Sequence, residues 1–216
     1  MPIRVFSEEE KNVIKEKLLS VGFSLLQEFG VIHMSVSKIT KAAEIGTGTF
    51  YRFFESKEDY IYQLIQYKRQ QLIQDFIPKE VIKGERKLSL DEVRSFIELI
   101  VDKDKSVYAN MSLQDEAELF KYMSKKENDE SDNESIKVSK IEHEKQVSGV
   151  LLKWINVPSE RLDFALFANM LKVLAITAQA KEELHAVAYD RTITLLIDDI
   201  MKLIYGNEDR IEDCNI

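Results

Sequence analysis

The chain has 216 residues, 44% of them hydrophobic, enough for a buried core in one large or two small domains. Its single cysteine, Cys214, excludes an internal disulfide and a cysteine-based metal cluster. A formal charge of -8 argues against nucleic-acid binding unless the charge is unevenly spread.

The spread is uneven: residues 1–60 carry a net -1 and the remaining residues -7. Within 31–57, Lys38, Lys41, Arg52 and Lys57 outnumber Glu44 and Glu55, so this window is mildly basic. The N-terminal MPIRVFSEEEKN has no apolar signal-peptide core, and the most apolar stretch, FALFANMLKVLAITAQA, is cut by Asn169 and Lys172. A soluble cytoplasmic protein without a membrane partner is expected. Few glycines and prolines and no sustained period-two alternation point to an all-α fold.

In chain order, Ser7 and Glu10 have the spacing of a capping box, in which hydroxyl and carboxylate satisfy each other's free backbone donors. Ile14, Leu18, Val21, Leu25 and Phe29 then form one apolar stripe of a first helix that ends at Gly30, a left-handed cap. Ser35 caps a short second helix with Ile39 and Ala43 facing inward. Ile45 and Gly46 break it, and a third helix carries Phe50 and Phe54 at i, i+4.

With those two rings inside, the 100° step per residue turns Thr47, Gly48, Tyr51 and Arg52 outward. Small residues at a helix start let the backbone approach DNA closely. Threonine and tyrosine hydroxyls can bond phosphates, and Arg52 can bond a phosphate or a guanine edge. Lys57 follows Ser56 at the start of a fourth helix, where ammonium and free backbone donors can grip one phosphate together. The same stretch fails other templates: GTGTFY lacks the third glycine of a dinucleotide fingerprint and a preceding strand, and IGTGTF lacks the lysine of a P-loop.

From about Ser7 to Leu64, through LLQEFG and MSVSKITKAAEIGTGTFYRFFESKED, the sequence resembles the DNA-binding domain of the tetracycline-repressor-like (TetR) family of bacterial regulators. The resemblance implies that the second and third helices form a helix-turn-helix, with the third in the major groove. It also implies that the fourth helix leads into a helical ligand-binding and dimerisation domain. Residue by residue, Ser35, Thr49, Tyr51 and Lys57 resemble phosphate-contacting positions. Ser37, Thr47, Gly48 and Arg52 resemble those nearest base edges, and Lys38 is counted with this DNA-facing set. The turn departs from the family pattern: Glu44 stands where glycine is usual. A glutamate there must avoid positive φ or accept strain, and its charge lowers affinity for DNA.

Lys57 to about Phe76 reads as a long fourth helix closed by Pro78, followed by a loop, PKEVIKGERKLS. Ser89 caps a fifth helix containing Val93, Phe96, Ile97 and Ile100, and shorter segments follow from Tyr108 to Met123. SKKENDESDNES has no large apolar residue and reads as a mobile loop or solvated helix end. Leu162 to Ala180 is apolar over about half its circumference, wider than the roughly 100° one core contact needs. Glu182 to Tyr205 bears two stripes: Leu184, Val187, Ala188 and Leu195, and Ile193, Leu196, Ile197, Ile200 and Ile204.

Two helices with two apolar faces each suggest a four-helix bundle shared by two subunits, with Leu162, Leu166, Met170, Val173, Leu184, Val187, Leu195 and Ile200 at the interface. Candidate walls of a ligand site are Phe96, Tyr108, Met111, Phe120, Met123, Trp154, Phe167 and Met170, since aromatics and methionines line adaptable apolar pockets. An apolar or amphipathic effector is preferred. His33, His143 and His185 are isolated. Glu142, His143 and Glu144 fan out around a helix, and Asp198 and Asp199 read as exposed polar positions, so no metal, cofactor or enzymatic activity is expected.

The expectation is therefore a homodimeric transcriptional regulator, a repressor on a palindromic double-stranded operator, released by a small-molecule effector. Its DNA-binding domain is placed at 1–56 and its ligand-binding and dimerisation domain at 57–216. Two other classes stay open: an effector-independent or architectural DNA-binding protein, and an all-helical small-molecule carrier.

Overall fold

The structure, a computed structural model, describes residues 6–128, 149, 151–157 and 162–206. Every regular element among the described residues is helical. Helix α1 (Glu8–His33) starts in the expected capping box: Ser7 Oγ accepts from Glu10 N at 3.1 Å and the Glu10 carboxylate accepts from Ser7 N at 2.9 Å. Gly30, at φ 64°, breaks its last turn, a conformation that glycine adopts without a Cβ penalty.

Helices α2 (Val36–Ala42), α3 (Thr47–Phe50) and the first half of α4 (Lys57–Phe76) close a small head around α1. Leu18, Leu26, Ile39, Phe50, Phe54, Tyr60 and Leu64 are all buried there. The rings of Phe50, Phe54 and Tyr60 form a triangle with centroids 5.0–5.6 Å apart, each such pair adding about 0.5–1.5 kcal/mol beyond its buried area. The Tyr60 hydroxyl donates to the Leu18 carbonyl at 2.8 Å, and burial pushes its pKa well above the usual tyrosine value. Gly22 lets Tyr60 and Leu64 lie against the α1 backbone.

Pro78 ends α4 as expected because it has no N–H to continue the ladder. The segment read as a loop nevertheless contains one helical turn, α5 (Lys79–Ile82), because the Pro78 carbonyl accepts from Val81 N and Ile82 N at 3.0 and 3.1 Å. Val81 is buried, and a single turn is too short to leave a periodic signature. Helix α6 (Leu90–Val101) has a second capping box, Ser89 with Glu92. Arg86, hydrogen-bonded to both Glu92 oxygens, holds that carboxyl at about 2.

A 3₁₀ turn (Tyr108–Asn110) and α7 (Leu113–Asn128) follow. SKKENDESDNES thus begins inside α7, with Ser124 buried, and lies outside the described residues from position 129. So do Glu142, His143, Glu144 and Cys214. After helical residues at 151–154 come α8 (Phe164–Gln179), a 3₁₀ turn (Lys181–Glu183) and α9 (Ala186–Tyr205). Helix α9 starts four residues later than expected because Leu184 and His185 are extended.

Two cores result. The head core reaches beyond α4 to include Val107, Met111, Leu119, Phe120 and Met123. The second joins α6, α8 and α9 around Val93, Ile97, Phe167, Leu174 and Ile200, and Arg94 pairs with Asp198 across α6 and α9 at 2.5 Å.

Candidate nucleic-acid interface and effector pocket

Helix α2 ends in a Schellman turn: Glu44 N donates to Lys41 O at 3.2 Å and Ile45 N to Thr40 O at 3.0 Å. Glu44 occupies the left-handed position at φ 55°, the only positive φ outside glycine among the described residues. Of the two options its sequence position allows, it takes the strained one, and Lys17 reaches it at 3.3 Å. The turn delivers α3 with Phe50 inward and Thr47 and Gly48 exposed; the expected third helix stops before Phe54, because Arg52 N and Phe53 N bond three residues back and tighten the chain into a turn, on which Tyr51 and Arg52 are exposed.

Tyr51 stands edge-on against Phe50, and the Arg52 guanidinium lies 4.7 Å from the Phe6 ring centroid. A Cβ built on Gly46 or Gly48 would meet nothing within 4 Å. Helical glycine costs about 1 kcal/mol relative to alanine, and no contact among the described residues demands it at position 48. The bare backbone there is room for an outside partner.

Ser37 is exposed and Thr49 half-buried. Ser35 Oγ is engaged as the α2 cap, accepting from Lys38 N at 3.3 Å. The Lys38 ammonium donates to the His33 carbonyl at 3.1 Å above the Phe29 ring, and Lys57 donates to the Val31 carbonyl at 3.4 Å. Both lysines therefore rest on carbonyls in the last turn of α1.

The head is tied to α7 at two points absent from the sequence reading. Asp59, buried at the first turn of α4, accepts from Glu55 N at 3.1 Å, Gln63 Nε2 at 3.0 Å and the Tyr122 hydroxyl at 3.2 Å. Asp115 accepts from Ile32 N at 3.1 Å with one oxygen and from Ser112 N and Oγ with the other. The Ser112/Asp115 spacing is a helix-start signal legible in SLQD. The Tyr122–Asp59 bond, spanning 63 residues, leaves no such trace.

Between α4, α6, α7 and α8 lies an apolar cavity of about 180 Å³, opening toward solvent. Phe96, Met111 and Phe120 line it, together with Ile65, Leu72, Ile100 and Leu171. Trp154 packs edge-on to Phe96 from outside the lining, at 6.2 Å. Met123 belongs to the head core, Phe167 and Met170 to the second core, and the Tyr108 side chain lies outside the description. The charged members of the wall, Lys68, Arg69, Lys105, Glu116 and Lys172, were not among the expected site residues. A cation at position 69, on the same i, i+4, i+7 line as Ile65 and Leu72, was the available signal.

Of the expected interface residues, Leu166, Val173, Leu184, Val187 and Leu195 are exposed, Val187 at 89% and Leu195 at 61%. Met170 is half-buried, while Leu162 and Ile200 are buried within the chain itself. The two stripes thus part company: Ile197, Ile200 and Ile204 fill the core, while Val187 and Leu195 of the other stripe are bare.

No helix among the described residues is long and apolar enough to cross a membrane. No curated protein matches the chain. The solved structures that resemble it include two regulators. One is the transcriptional regulator FadR of Bacillus subtilis in complex with stearoyl-CoA, with 21% identity over 88% of this chain and 98% of that one and a TM-score of 0.43. The other is the fatty acid degradation regulator FadR of Bacillus halodurans, with 17% identity over 95% of this chain and 98% of that one and a TM-score of 0.49. Residues 18–61 match the family of bacterial regulatory proteins, tetR family. The helix-turn-helix head is thus a TetR-family N-terminal domain.

Proposed function

We propose that the protein is a homodimeric, cytoplasmic repressor that occupies a palindromic operator and leaves it when a small apolar or amphipathic molecule enters the cavity. Residues 1–56 form the DNA-reading part and 57–216 the ligand-binding and dimerisation part, with α4 running from one to the other. Thr47, Gly48, Arg52 and Ser37 meet base edges. Ser35, Lys38, Thr49, Tyr51 and Lys57 hold phosphates.

The observation that carries this reading is the placement of the cavity. Its walls include α4 and α7, and these helices also contact the head, through the shared core and through Asp59 and Asp115. A ligand that prefers one arrangement of α4 and α7 therefore biases the position of α3, and must bind the non-DNA form more tightly by the free energy it removes from DNA binding. The bare stripe of α9 and the exposed Leu166 and Val173 of α8 support a two-fold bundle. Such a dimer sets two α3 helices about 34–36 Å apart or a multiple of a helical turn.

The test is selection of bound duplexes from a random pool at near-physiological salt, followed by displacement of the selected duplex with small molecules. A palindromic motif released by a ligand supports the whole reading. A motif insensitive to every ligand that fills the cavity removes the effector, and no enrichment by a folded dimer removes the operator.

A further inference from the structure

We propose that the ligand of the cavity carries an anionic group and that Arg69 binds it. This inference rests on the reading of the cavity as the effector site and names the chemistry of what enters it.

The wall is apolar apart from Ser106 and its charged side chains, and most of the charged ones are already answered. The Lys172 ammonium pairs with Glu116 at 2.9 Å. Lys105 pairs with Asp102 at 3.1 Å, and the Lys68 ammonium lies 4.4 Å from the Phe23 ring centroid. Arg69 differs. Its Nη2 donates to the neutral Gln66 Oε1 at 2.5 Å, while Nη1 is fully buried and has no hydrogen-bond partner among the described residues.

A guanidinium cannot relieve such a site by losing its proton, as a buried lysine can, so the cost stays until an acceptor arrives. A neutral oxygen answers the open donor and leaves the charge unopposed. An oxyanion answers both, and the planar fork suits carboxylate and phosphate alike. The rest of the ligand meets the apolar lining at Leu72, Phe96, Phe120 and Leu171. Arg69 sits on α4, so an anion held there loads the helix that begins in the head.

The test titrates the full chain with octanoate, octyl phosphate and 1-octanol at pH 7. It is read by the fluorescence of Trp154, the chain's single tryptophan, which abuts the lining residue Phe96. At least one anion should bind tenfold or more tighter than the alcohol, the factor that one charge-assisted hydrogen bond supplies. The order of the two anions tells carboxylate from phosphate. In Arg69→Gln that preference should collapse to about onefold while alcohol binding is unchanged, which also shows that the variant is folded. Arg69→Lys should keep part of it.

Equal binding of alcohol and anions by the wild-type chain, a preference that survives in Arg69→Gln, or binding of none of the three at millimolar concentration overturns the proposal. Release of the selected operator is measured alongside. Alcohol that releases DNA without any preference for anions sinks the Arg69 site and leaves the effector reading standing. Arg69-dependent anion binding with no effect on DNA does the reverse.

Discussion

Replacing Glu44 with glycine should stabilise the head and tighten DNA binding, and the two effects have separate physical origins. Glu44 sits at φ 55° as the residue after the α2 cap, fixed there by the hydrogen bonds of Glu44 N to Lys41 O and Ile45 N to Thr40 O. The left-handed conformation costs a residue with a Cβ about 1–2 kcal/mol. Glycine escapes that cost but gives back about 0.4–1 kcal/mol through the greater freedom of its unfolded chain. The Lys17–Glu44 pair, 3.3 Å long with the glutamate side chain 84% exposed, is worth a few tenths of a kcal/mol at most. The balance favours Glu44→Gly by about 0.5–1 kcal/mol, a rise in Tm of about 1–4 °C for a chain of this size. Glu44→Gln isolates the other effect, since it keeps the strain and removes only the charge beside the DNA-facing helix. Both variants should bind the operator more tightly than wild type at low salt. The gain should fade toward 1 M salt, where screening acts within about 3 Å. Only the glycine variant should melt higher. Thermal unfolding followed by circular dichroism, with fluorescence anisotropy over a salt series, reads both. A glycine variant that melts at or below wild type refutes the strain, and a glutamine variant with unchanged affinity at every salt removes Glu44 from the neighbourhood of phosphate.

Gly22→Ala should destabilise despite a helix-propensity gain of about 1 kcal/mol. Its Cβ would collide with the Tyr60 hydroxyl and lie 2.8 and 2.9 Å from the Leu64 methyls, and overpacking plus a lost buried hydrogen bond costs about 2–4 kcal/mol; urea unfolding with an unchanged midpoint would contradict this. Arg52→Ala should lose about 1–3 kcal/mol with relaxed sequence preference if it reads a base, or lose affinity uniformly with a shallower salt slope if it holds a phosphate. Binding to several duplexes separates the two. Tyr122→Phe removes the bond to Asp59 and should leave operator affinity within a few-fold of wild type while reducing the effector's power to release DNA; an unaltered effector response would exclude that link. Leu195→Glu, on the bare α9 stripe where Leu195 is 61% exposed, should yield a folded monomer with weakened operator binding, and a variant that stays dimeric by light scattering would place the interface elsewhere.

The legible parts of this molecule are those written in short-range code. Ser7/Glu10, Ser35 and Ser89 cap their helices as read from the sequence, and Phe50 on the inner face of α3 leaves Thr47 and Gly48 outward. The two stripes of α9 were separable because one helix cannot bury both against one core. What the sequence concealed depends on distant pairing. Nothing in the neighbourhood of Tyr122 announces Asp59, and apolar periodicity alone did not tell Phe96, which lines the cavity, from Phe167, which fills the adjoining core. Apolar residues record only that a side chain leaves water. Whether it meets another side chain or a void is decided by the crossing of helices far apart in sequence.

The same distinction bears on how a small ligand could move the head. A hundredfold loss of operator affinity requires about 2.7 kcal/mol of differential binding. The head is joined to α7 by the Tyr122–Asp59 and Asp115–Ile32 bonds, and hydrogen bonds to charged groups contribute about 1.5–3 kcal/mol each. Exchanging one of the two is therefore already of the required size. Glu116, Leu119 and Phe120 of α7 face the cavity while Asp115 and Tyr122 of the same helix hold the head. A ligand that shifts this helix by a fraction of a turn acts on those two bonds directly, with no need to unfold either core. If the cavity is the effector site proposed above, α4, which contributes to both cores, carries that shift toward α3, and the two α7 bonds set its cost.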